Sequence, residues 1–471
     1  MKSSLSKVLH PILGKPILGH VMDAAIGVDP DHIVVVVGHQ RERVVDYLAD
    51  QYPSARTAVQ AEQNGTGHAV RCALKELAQA GIDVRDGAVV VLGGDTPLLR
   101  TSTIAALVEH QAQRRSAVTV LSAELDDPTG YGRIVRDMSG DVTGIVEDKD
   151  ASDTELMIKE INSGVYSFDY EVLNDALGRL STENSQGEEY LTDVVGIARG
   201  DGRPVSAYIA PDSLEVNGIN DRKQLASGAA ILRDRTNEDY MRAGVTIVDP
   251  ATTWIAPGAR IAADAVIERN SSIDSLCSIA AGATVGPDTT LVATSVGNGA
   301  HVLKSHCLGA EIGAGANIGP FSYLRPGTRL GTGSKVGAYV EVKNSHIGTD
   351  SKVPHLSYVG DAYIGIGTNI GAATVFVNYD GVNKHHTVVG DHVRVGSDSM
   401  LIAPVTIGDG AYTAAGSVIT NDVPAGAIGI GRSRQVNKEH WVEHNRPDTQ
   451  SASVAARAKI SPSDPAVVTE D

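Results

Sequence analysis

Two groups of residues in this sequence have types and spacing that could carry chemistry. Ala88 to Leu92 reads as a buried strand, and Gly93-Gly94-Asp95-Thr96-Pro97 follows it. Ligands of open α/β sheets sit beyond the carboxyl ends of strands, so Asp95 stands where a carboxylate could hold a metal ion against a phosphate; it could equally cap the helix expected to start near Ser102. The stretch Gln60 to His68 is polar, contains Gly65 and Gly67, and opens a helix, which suits contact with a nucleobase or phosphate through backbone N–H groups. Thr129-Gly130-Tyr131-Gly132-Arg133-Ile134 would let backbone approach a ligand closely. The second group is Arg325, Lys343 and Asp361, which recur at equal steps along the chain, with His355 between the last two. Two cations on one wall of an acidic protein imply a bound phosphate, although a solvated surface pair has the same sequence appearance. An imidazole such as that of His355 can take a proton near neutral pH, but most of the 15 histidines are expected at the surface.

The elements that must position these residues differ in the two halves. Up to about Lys223, short β-rich runs alternate with helical patterns, as in an open α/β sheet. Ile33 to Val37, followed by Gly38-His39, is another buried strand. From Asn220 to Arg242 a helix is expected, with Leu225, Ala229 and Leu232 on one side and Gly244 as its stop. Beyond it, Ile312, Ile318, Leu324, Leu330, Val336 and Val342 recur every sixth residue. The same beat runs through Ile261, Ile267, Ile273, Ile279, Val285 and Leu291, then Ile347, Val353 and Val359, then Val389, Val395, Leu401 and Ile407. That is the period of a hexapeptide β-helix, in which each sixth residue points inward and small residues make the corners. Three hexads make a coil, so Arg325 and Lys343 fall on one wall. Fifty glycines suit corners with positive torsions, and 4% aromatic content suits a narrow core. Between Phe376 and Val389 the beat breaks, so Asn378 to His386 must loop out of the coil.

Composition bounds the function. A length of 471 residues predicts two domains, and a net charge of -17 argues against a general nucleic-acid binder. Cys72, Cys277 and Cys307 are widely spaced without a CxxC pair, which fits a reducing compartment and neither a disulfide framework nor a zinc site. No apolar run approaches membrane-spanning length, and His10, Pro11, Gly14, Lys15 and Pro16 break the stretch Met1 to His20, which makes it a poor signal peptide. A soluble, cytoplasmic protein without membrane contact is expected.

Taken together, Lys7-Val8-Leu9-His10, Gln60 to His68, Gly94-Asp95-Thr96-Pro97-Leu98, Gly130 to Ile134, Glu160-Ile161-Asn162-Ser163-Gly164 and Asn217-Gly218-Ile219-Asn220 resemble the ordered motifs of sugar-1-phosphate nucleotidyltransferases. The following hexapeptide β-helix narrows the resemblance to the bifunctional N-acetylglucosamine-1-phosphate uridyltransferase/glucosamine-1-phosphate acetyltransferase family, over Met1 to about Trp441. It implies a Rossmann-like α/β nucleotidyltransferase domain over 1–223, a linker helix over 224–244, a left-handed parallel β-helix over 245–446 and a disordered tail over 447–471.

By that resemblance Lys7, Gln60, Gly65, Thr66, Gly132, Glu147, Asn162 and Asn220 contact UDP-N-acetylglucosamine, and Asp95 with Asn220 holds Mg²⁺. One carboxylate and one amide oxygen leave room for phosphates and water, as Mg²⁺ requires. Arg325, Lys343, Tyr358 and Asn369 would bind the amino sugar phosphate, His355 would be the general base, and Glu341 is a candidate to steady its imidazolium. Ala372, Asn378, Tyr379, Ser397, Ala415 and Arg432 would line the acetyl-CoA site, although Ala372 and Ala415 also suit ordinary solenoid corners. Trp441 could stack on an adenine or cover the solenoid end. The implied reactions are acetyl transfer from acetyl-CoA to glucosamine-1-phosphate, then uridyl transfer from UTP to N-acetylglucosamine-1-phosphate with release of pyrophosphate. The implied assembly is a homotrimer, with Phe321, Tyr323 and Val340 available to cover a strand face. The family begins with a strand and a Gly-rich loop of the form Leu-Ala-Ala-Gly-x-Gly-Thr-Arg-Met; this sequence starts at what resembles the final Met, and a natural start further upstream is expected. The alternatives are an acetyltransferase with an inactive nucleotidyltransferase domain and a non-catalytic scaffold that binds UDP-sugar.

Overall fold

The computed structural model describes residues 1–38, 41–84, 87–184 and 186–458. They form two compact units, one up to Asn344 and the other from Ser345.

The first unit opens with an α/β domain. Its main sheet runs in the order Val205–Ile209, Val118–Glu124, Glu160–Asp169, Arg133–Arg136, Val142–Val146, and Ala88–Val91 also pairs with Glu160–Asp169. The pairing is mixed: Val205–Ile209 lies parallel to Val118–Glu124, and Glu160–Asp169 is antiparallel to its neighbours. Val34–Val37 and Arg56–Val59 form a separate parallel pair. Val118, Val120 and Phe168 are fully buried under Leu173, Leu177, Val194 and Val195 of the covering helices, while Leu121 and Ile161 pack on Ile104 and Leu107. Apolar burial on both faces of the sheet therefore fixes the loops at its strand ends.

The expected linker helix spans Arg222–Arg242, two residues earlier than 224, because Asp221 and Gln224 form a capping box at its start. Gly244 follows its end with φ +94°, and its N–H closes on the Met241 carbonyl. This helix does not separate the compact units, because it is fastened on both sides. Arg235 donates to the Leu98 carbonyl and Asp212, while buried Asn237 donates to the carbonyls of Pro250 and Thr253 in the first coil.

From Thr246 the first unit continues as three parallel sheets, one per wall of the solenoid. Ile267, Ile273, Ile279, Val285, Leu291, Ile312, Ile318, Leu324, Leu330, Val336 and Val342 are all buried, as the six-residue beat requires; Ile261, in the first coils, is only partly covered. Val302 and Cys307 join the ladder off the expected beat. Every step from coil to coil there, from Ile279 to Val296 through to Cys307 to Leu324, is one or two residues shorter than three hexads. Hydroxyls close the corners: Thr294, Ser322 and Thr328 donate to the carbonyls of Cys307, Gly337 and Val342. Positive torsions are taken by Gly315 and Gly333, but equally by Asn270, Asp288 and Asn344, whose short polar side chains tolerate them. Val340 is buried and cannot cover an outer face: it stands two residues before the inward Val342, a position that Ser322, Thr328 and Ser334 also bury. Phe321 and Tyr323 are exposed, and Phe321 stacks on Tyr339 with ring centroids 5.2 Å apart.

The second unit is again three-walled. Lys352–His355 leads to Asn369–Ile370 and Arg394–Val395; Tyr358–Gly360 to Val375–Val377 and Met400–Ile402; and His346–Ile347 to Ala362–Ile364, Thr387–Val389 and Val405–Ile407. Ile347, Val353, Val359, Phe376, Val389, Leu401 and Ile407 are fully buried. The tail expected to be disordered from 447 contains a helix, Gln450–Ala458, which is rich in alanine and capped by the Thr449 hydroxyl on the Ala452 N–H. Residues 459–471 of that tail, and His39, lie outside the described residues.

Candidate functional site

Lys7, Asp95 and Asn220 meet at one point. The Lys7 ammonium, in the short turn Lys7–Leu9, donates to Asp95 Oδ2 at 2.7 Å and to Asn220 Oδ1 at 2.8 Å. Asp95 does not cap the next helix, Thr101–Arg114, which has no side-chain cap. Instead its carbonyl accepts the Ile219 N–H at 2.9 Å, which fastens the strand-end loop to the segment carrying Asn220. Asn220 is in turn placed by the helix start, where its N–H donates to Gln224. Two oxygens of the kind a hard divalent cation prefers thus converge on a single cation, so the residues assigned to Mg²⁺ fit that role. Among the described residues no group of three or more His, Cys, Asp or Glu side chains could hold a metal ion.

Gln60, Gly65 and Thr66 lie at the start of the helix Thr66–Gln79. Gln60 Nε2 donates to the Gly65 carbonyl, and the Thr66 hydroxyl accepts the Leu191 N–H. Gly65 has φ +105°, and a Cβ there would stand 2.5 Å from the Glu189 carbonyl oxygen, so no other residue can hold this turn. Backbone bonds from Glu189 to Asn64 and from Gly67 to Glu189 zip the loop to Glu188–Leu191.

Gly132, Glu147 and Asn162 form a third cluster. The Asn162 N–H donates to the Gly132 carbonyl at 2.8 Å, and a Cβ on Gly132 would stand 3.4 Å from Glu147 Oε2. Thr192 Oγ1 donates to Glu147 Oε1 at 3.3 Å. Burial pushes the Glu147 carboxyl above its ordinary range; the Thr192 hydrogen bond opposes the shift, and the charges of Asp150, Asp193 and Asp148 add to it. Because Thr192 follows Leu191, the cluster is joined to the Thr66 loop. Tyr131, whose phenol burial also pushes up, lines a cavity of about 370 Å³ with Asn217, Gly218 and Ile219. The eight residues expected to hold the nucleotide sugar, and Asp95, therefore fall into three clusters, and Leu191 and Thr192 join the second to the third. Sequence reading missed Glu188–Thr192, which bears no glycine signature and is recognisable only from what it bonds.

The acetyl-transfer residues are divided between the two units. In the first, Arg325 and Lys343 sit on one wall, since Leu324 pairs with Val342, and Arg325 Nη1 meets Glu341 Oε1 at 2.9 Å. Glu341 thus serves Arg325. In the second, His355 is exposed at the end of its strand, and its carbonyl accepts the Ser357 hydroxyl and the Ala373 N–H. Tyr358 and Asn378 adjoin: Asn378 Nδ2 is 3.5 Å from the Tyr358 hydroxyl and 2.6 Å from Oδ2 of buried Asp361. The excursion from the coil is a latched loop. Asp380 accepts from the N–H groups of Val382 and Asn383 and pairs with His385 at 2.7 Å, chiefly through His385 holding its carboxyl down at about 2. Tyr379 is exposed on this loop. Asn369 lies in the strand beside Arg394. Ala372, Ser397 and Ala415 recur at one corner, where the Asp398 N–H bonds to the Ala372 carbonyl and the Gly416 N–H to that of Ser397; Arg432 stands next to Gly416. Trp441 lies under the Arg446 guanidinium, 5.6 Å from its ring centroid.

A carboxylate and an amide oxygen converging on one ammonium in an α/β domain, with a hexapeptide solenoid following, point to a sugar-phosphate nucleotidyltransferase joined to an acyltransferase. A nucleotidyl transferase family model matches residues 2–238, and a bacterial transferase hexapeptide (six repeats) model matches residues 309–344 and 386–421. The chain is 55% identical over 463 residues to the bifunctional protein GlmU of Streptomyces avermitilis, covering 98% of this chain and 95% of that one. It is 52% identical over 465 residues to that of Corynebacterium efficiens, at the same coverage, and 54% identical over 456 residues to that of Streptomyces coelicolor, covering 97% and 94%. The chain belongs to the bifunctional GlmU family. It is a bifunctional enzyme of UDP-N-acetylglucosamine synthesis, with an acetyltransferase and a uridyltransferase activity. No helix among the described residues is long and apolar enough to cross a membrane.

Proposed function

We propose that uridyl transfer takes place at Lys7, Asp95 and Asn220, with Gln60, Gly65 and Thr66 on the nucleotide and Gly132, Glu147 and Asn162 on the sugar. The observation that carries this reading is the convergence of Asp95 and Asn220 on one ammonium. Mg²⁺ bound by their oxygens would neutralise phosphate charge during attack on the α-phosphate. Lys7 adds a second positive charge, the Thr66 loop offers backbone N–H groups, and Glu147 accepts from a sugar hydroxyl or amide. Acetyl transfer requires a neutral amine on glucosamine-1-phosphate. His355 takes that proton, Arg325 and Lys343 hold the phosphate, and Tyr358 and Asn369 orient the sugar. Acetyl-CoA lies along Ala372, Asn378, Tyr379, Ser397, Ala415 and Arg432. The functional domains keep the limits 1–223 and 245–446, and the chain acts as a homotrimer, a reading supported by exposed Phe321 and Tyr323. The cytoplasm is the compartment proposed, in keeping with three unpaired thiols.

Two assays on the chain test this: CoA release with glucosamine-1-phosphate, and pyrophosphate release from UTP with N-acetylglucosamine-1-phosphate and Mg²⁺. Both products are expected. His355→Ala should abolish the first and leave the second; loss of neither, or of both with the fold intact, refutes the assignment.

A further inference from the structure

Arg133 is the largest fully buried side chain among the described residues, with 2% of its side chain exposed. A buried guanidinium costs stability unless its donors are used. Two of them are. Nη1 donates to the Tyr131 carbonyl, and Nη2 meets Asp148 Oδ1 at 3.1 Å, while buried Nε has no partner in the protein. Tyr131 immediately precedes Gly132, and Asp148 immediately follows Glu147. The backbone of Arg133 supplies the third link, since it pairs with Val146 on one side and with Ile161, the residue before Asn162, on the other. One residue therefore touches the chain beside each of the three residues assigned to the sugar.

We propose that Arg133 is the positioning residue of the uridyl-transfer site, clamping Gly132, Glu147 and Asn162 into a single sugar-binding floor. The proposal rests on the sugar-site reading above. The fork of a guanidinium spans a carbonyl and a carboxylate in fixed geometry, which an ammonium cannot do. Tyr131, held through its carbonyl, lies with Gly218 on one cavity, and a Cβ on Gly218 would be 3.7 Å from Asp95 Oδ2. The clamp thereby also sets the distance between the sugar floor and the cation point. Arg133 touches no substrate; its effect passes through the backbone of its neighbours.

The test uses Arg133→Lys, and Asp148→Asn as the variant that keeps the buried arginine and the side-chain volume. Three readouts apply to each: KM for N-acetylglucosamine-1-phosphate and for UTP, acetyltransferase activity as a measure of the rest of the chain, and hydrogen exchange over residues 129–134 and 145–150. The expected result is a rise of about tenfold in KM for the sugar phosphate, with KM for UTP within about twofold, acetyltransferase unchanged and faster exchange in both segments. Equal rises in both KM values, or unchanged exchange in both segments, would overturn the clamp. If the parent chain releases no pyrophosphate, the uridyl-transfer reading fails, and the exchange data alone decide whether the clamp exists.

Discussion

Replacing Lys7 with glutamine should make the nucleotide-free protein bind a divalent cation more tightly. The reasoning starts from the 2.7 and 2.8 Å contacts of the ammonium with Asp95 Oδ2 and Asn220 Oδ1, the two oxygens a divalent ion would take. Any such ion must first break those contacts. The side chains of Lys7 and Asp95 are 36% and 29% exposed, so solvent screens the pair well below its interior value. With a charge-assisted hydrogen bond on each side, about 1–2 kcal/mol is a fair figure for what the ion must displace. That converts to an affinity about 5- to 30-fold higher in Lys7→Gln. Mn²⁺ is the probe, its free signal followed by electron paramagnetic resonance without nucleotide, and Asp95→Asn is the control that should lose the site in either background. Uridyl transfer in Lys7→Gln should nevertheless fall by about 100-fold, because the cation that faces the phosphates is gone. Equal or weaker Mn²⁺ binding in Lys7→Gln would refute the idea that the ammonium guards the site.

Glu147→Gln should raise the melting temperature while it lowers uridyl transfer. Burial raises the Glu147 carboxyl, so its ionised form costs the folded state stability above its ordinary titration range; the gain from glutamine should be full above the raised range and vanish as the pH falls below the ordinary one. Asp380→Asn keeps the size of the residue that latches the excursion loop but removes its charge. KM for acetyl-CoA should rise about 3- to 10-fold with kcat nearly unchanged. Because the native carboxyl is held down at about 2, the latch of the parent protein is complete above the usual aspartate range and is lost only as pH falls towards that value, a dependence the asparagine variant should lack in loop hydrogen exchange. Phe376→Ala removes a fully buried ring from the solenoid and should destabilise the second unit by about 3–5 kcal/mol in denaturant unfolding.

The solenoid was legible because its order is local. Every inward residue is a fixed step from the last, so the buried positions of Leu324, Val353 and Leu401 follow from the beat alone. Asp95 was placed by the same kind of local rule, a carboxylate just past a valine-rich strand, and its contact with Lys7 removes the capping alternative. Val340 is buried because it stands two residues before the inward Val342, a position that Ser322, Thr328 and Ser334 also bury, and the six-residue beat alone marks only one inward residue per hexad. The tail helix escaped notice because its residues carry alanine propensity and a threonine cap without an apolar stripe. Arg133 could not have been singled out from its own segment: what makes it distinctive is pairing with Val146 and Ile161 and a contact to Asp148, none of which is encoded within the motif Gly130 to Ile134.

The two halves also differ in how they assemble a site from distant residues. In the α/β domain the nucleotide residues are brought together by specific long-range bonds, such as Leu191 to Thr66 and Ile219 to Asp95, so each loop depends on the others. In the second unit the stacking of coils does much of the same work, through backbone bonds that repeat from one coil to the next. Ala372, Ser397 and Ala415 share a corner only because each coil repeats the torsions of the one before. The approach is close enough that a Cβ on Gly371 would stand 2.5 Å from the Ser397 N–H nitrogen, and one on Gly396 as near to that of Ala415. Glycine at 371 and 396 is therefore what lets these coils stack, and the small residue that follows each, Ala372 or Ser397, is what leaves the corner open to an extended ligand. A substitution at Gly371 or Gly396 should consequently disturb packing, whereas one at exposed Ser397 or Ala415 should disturb only what lies along the corner.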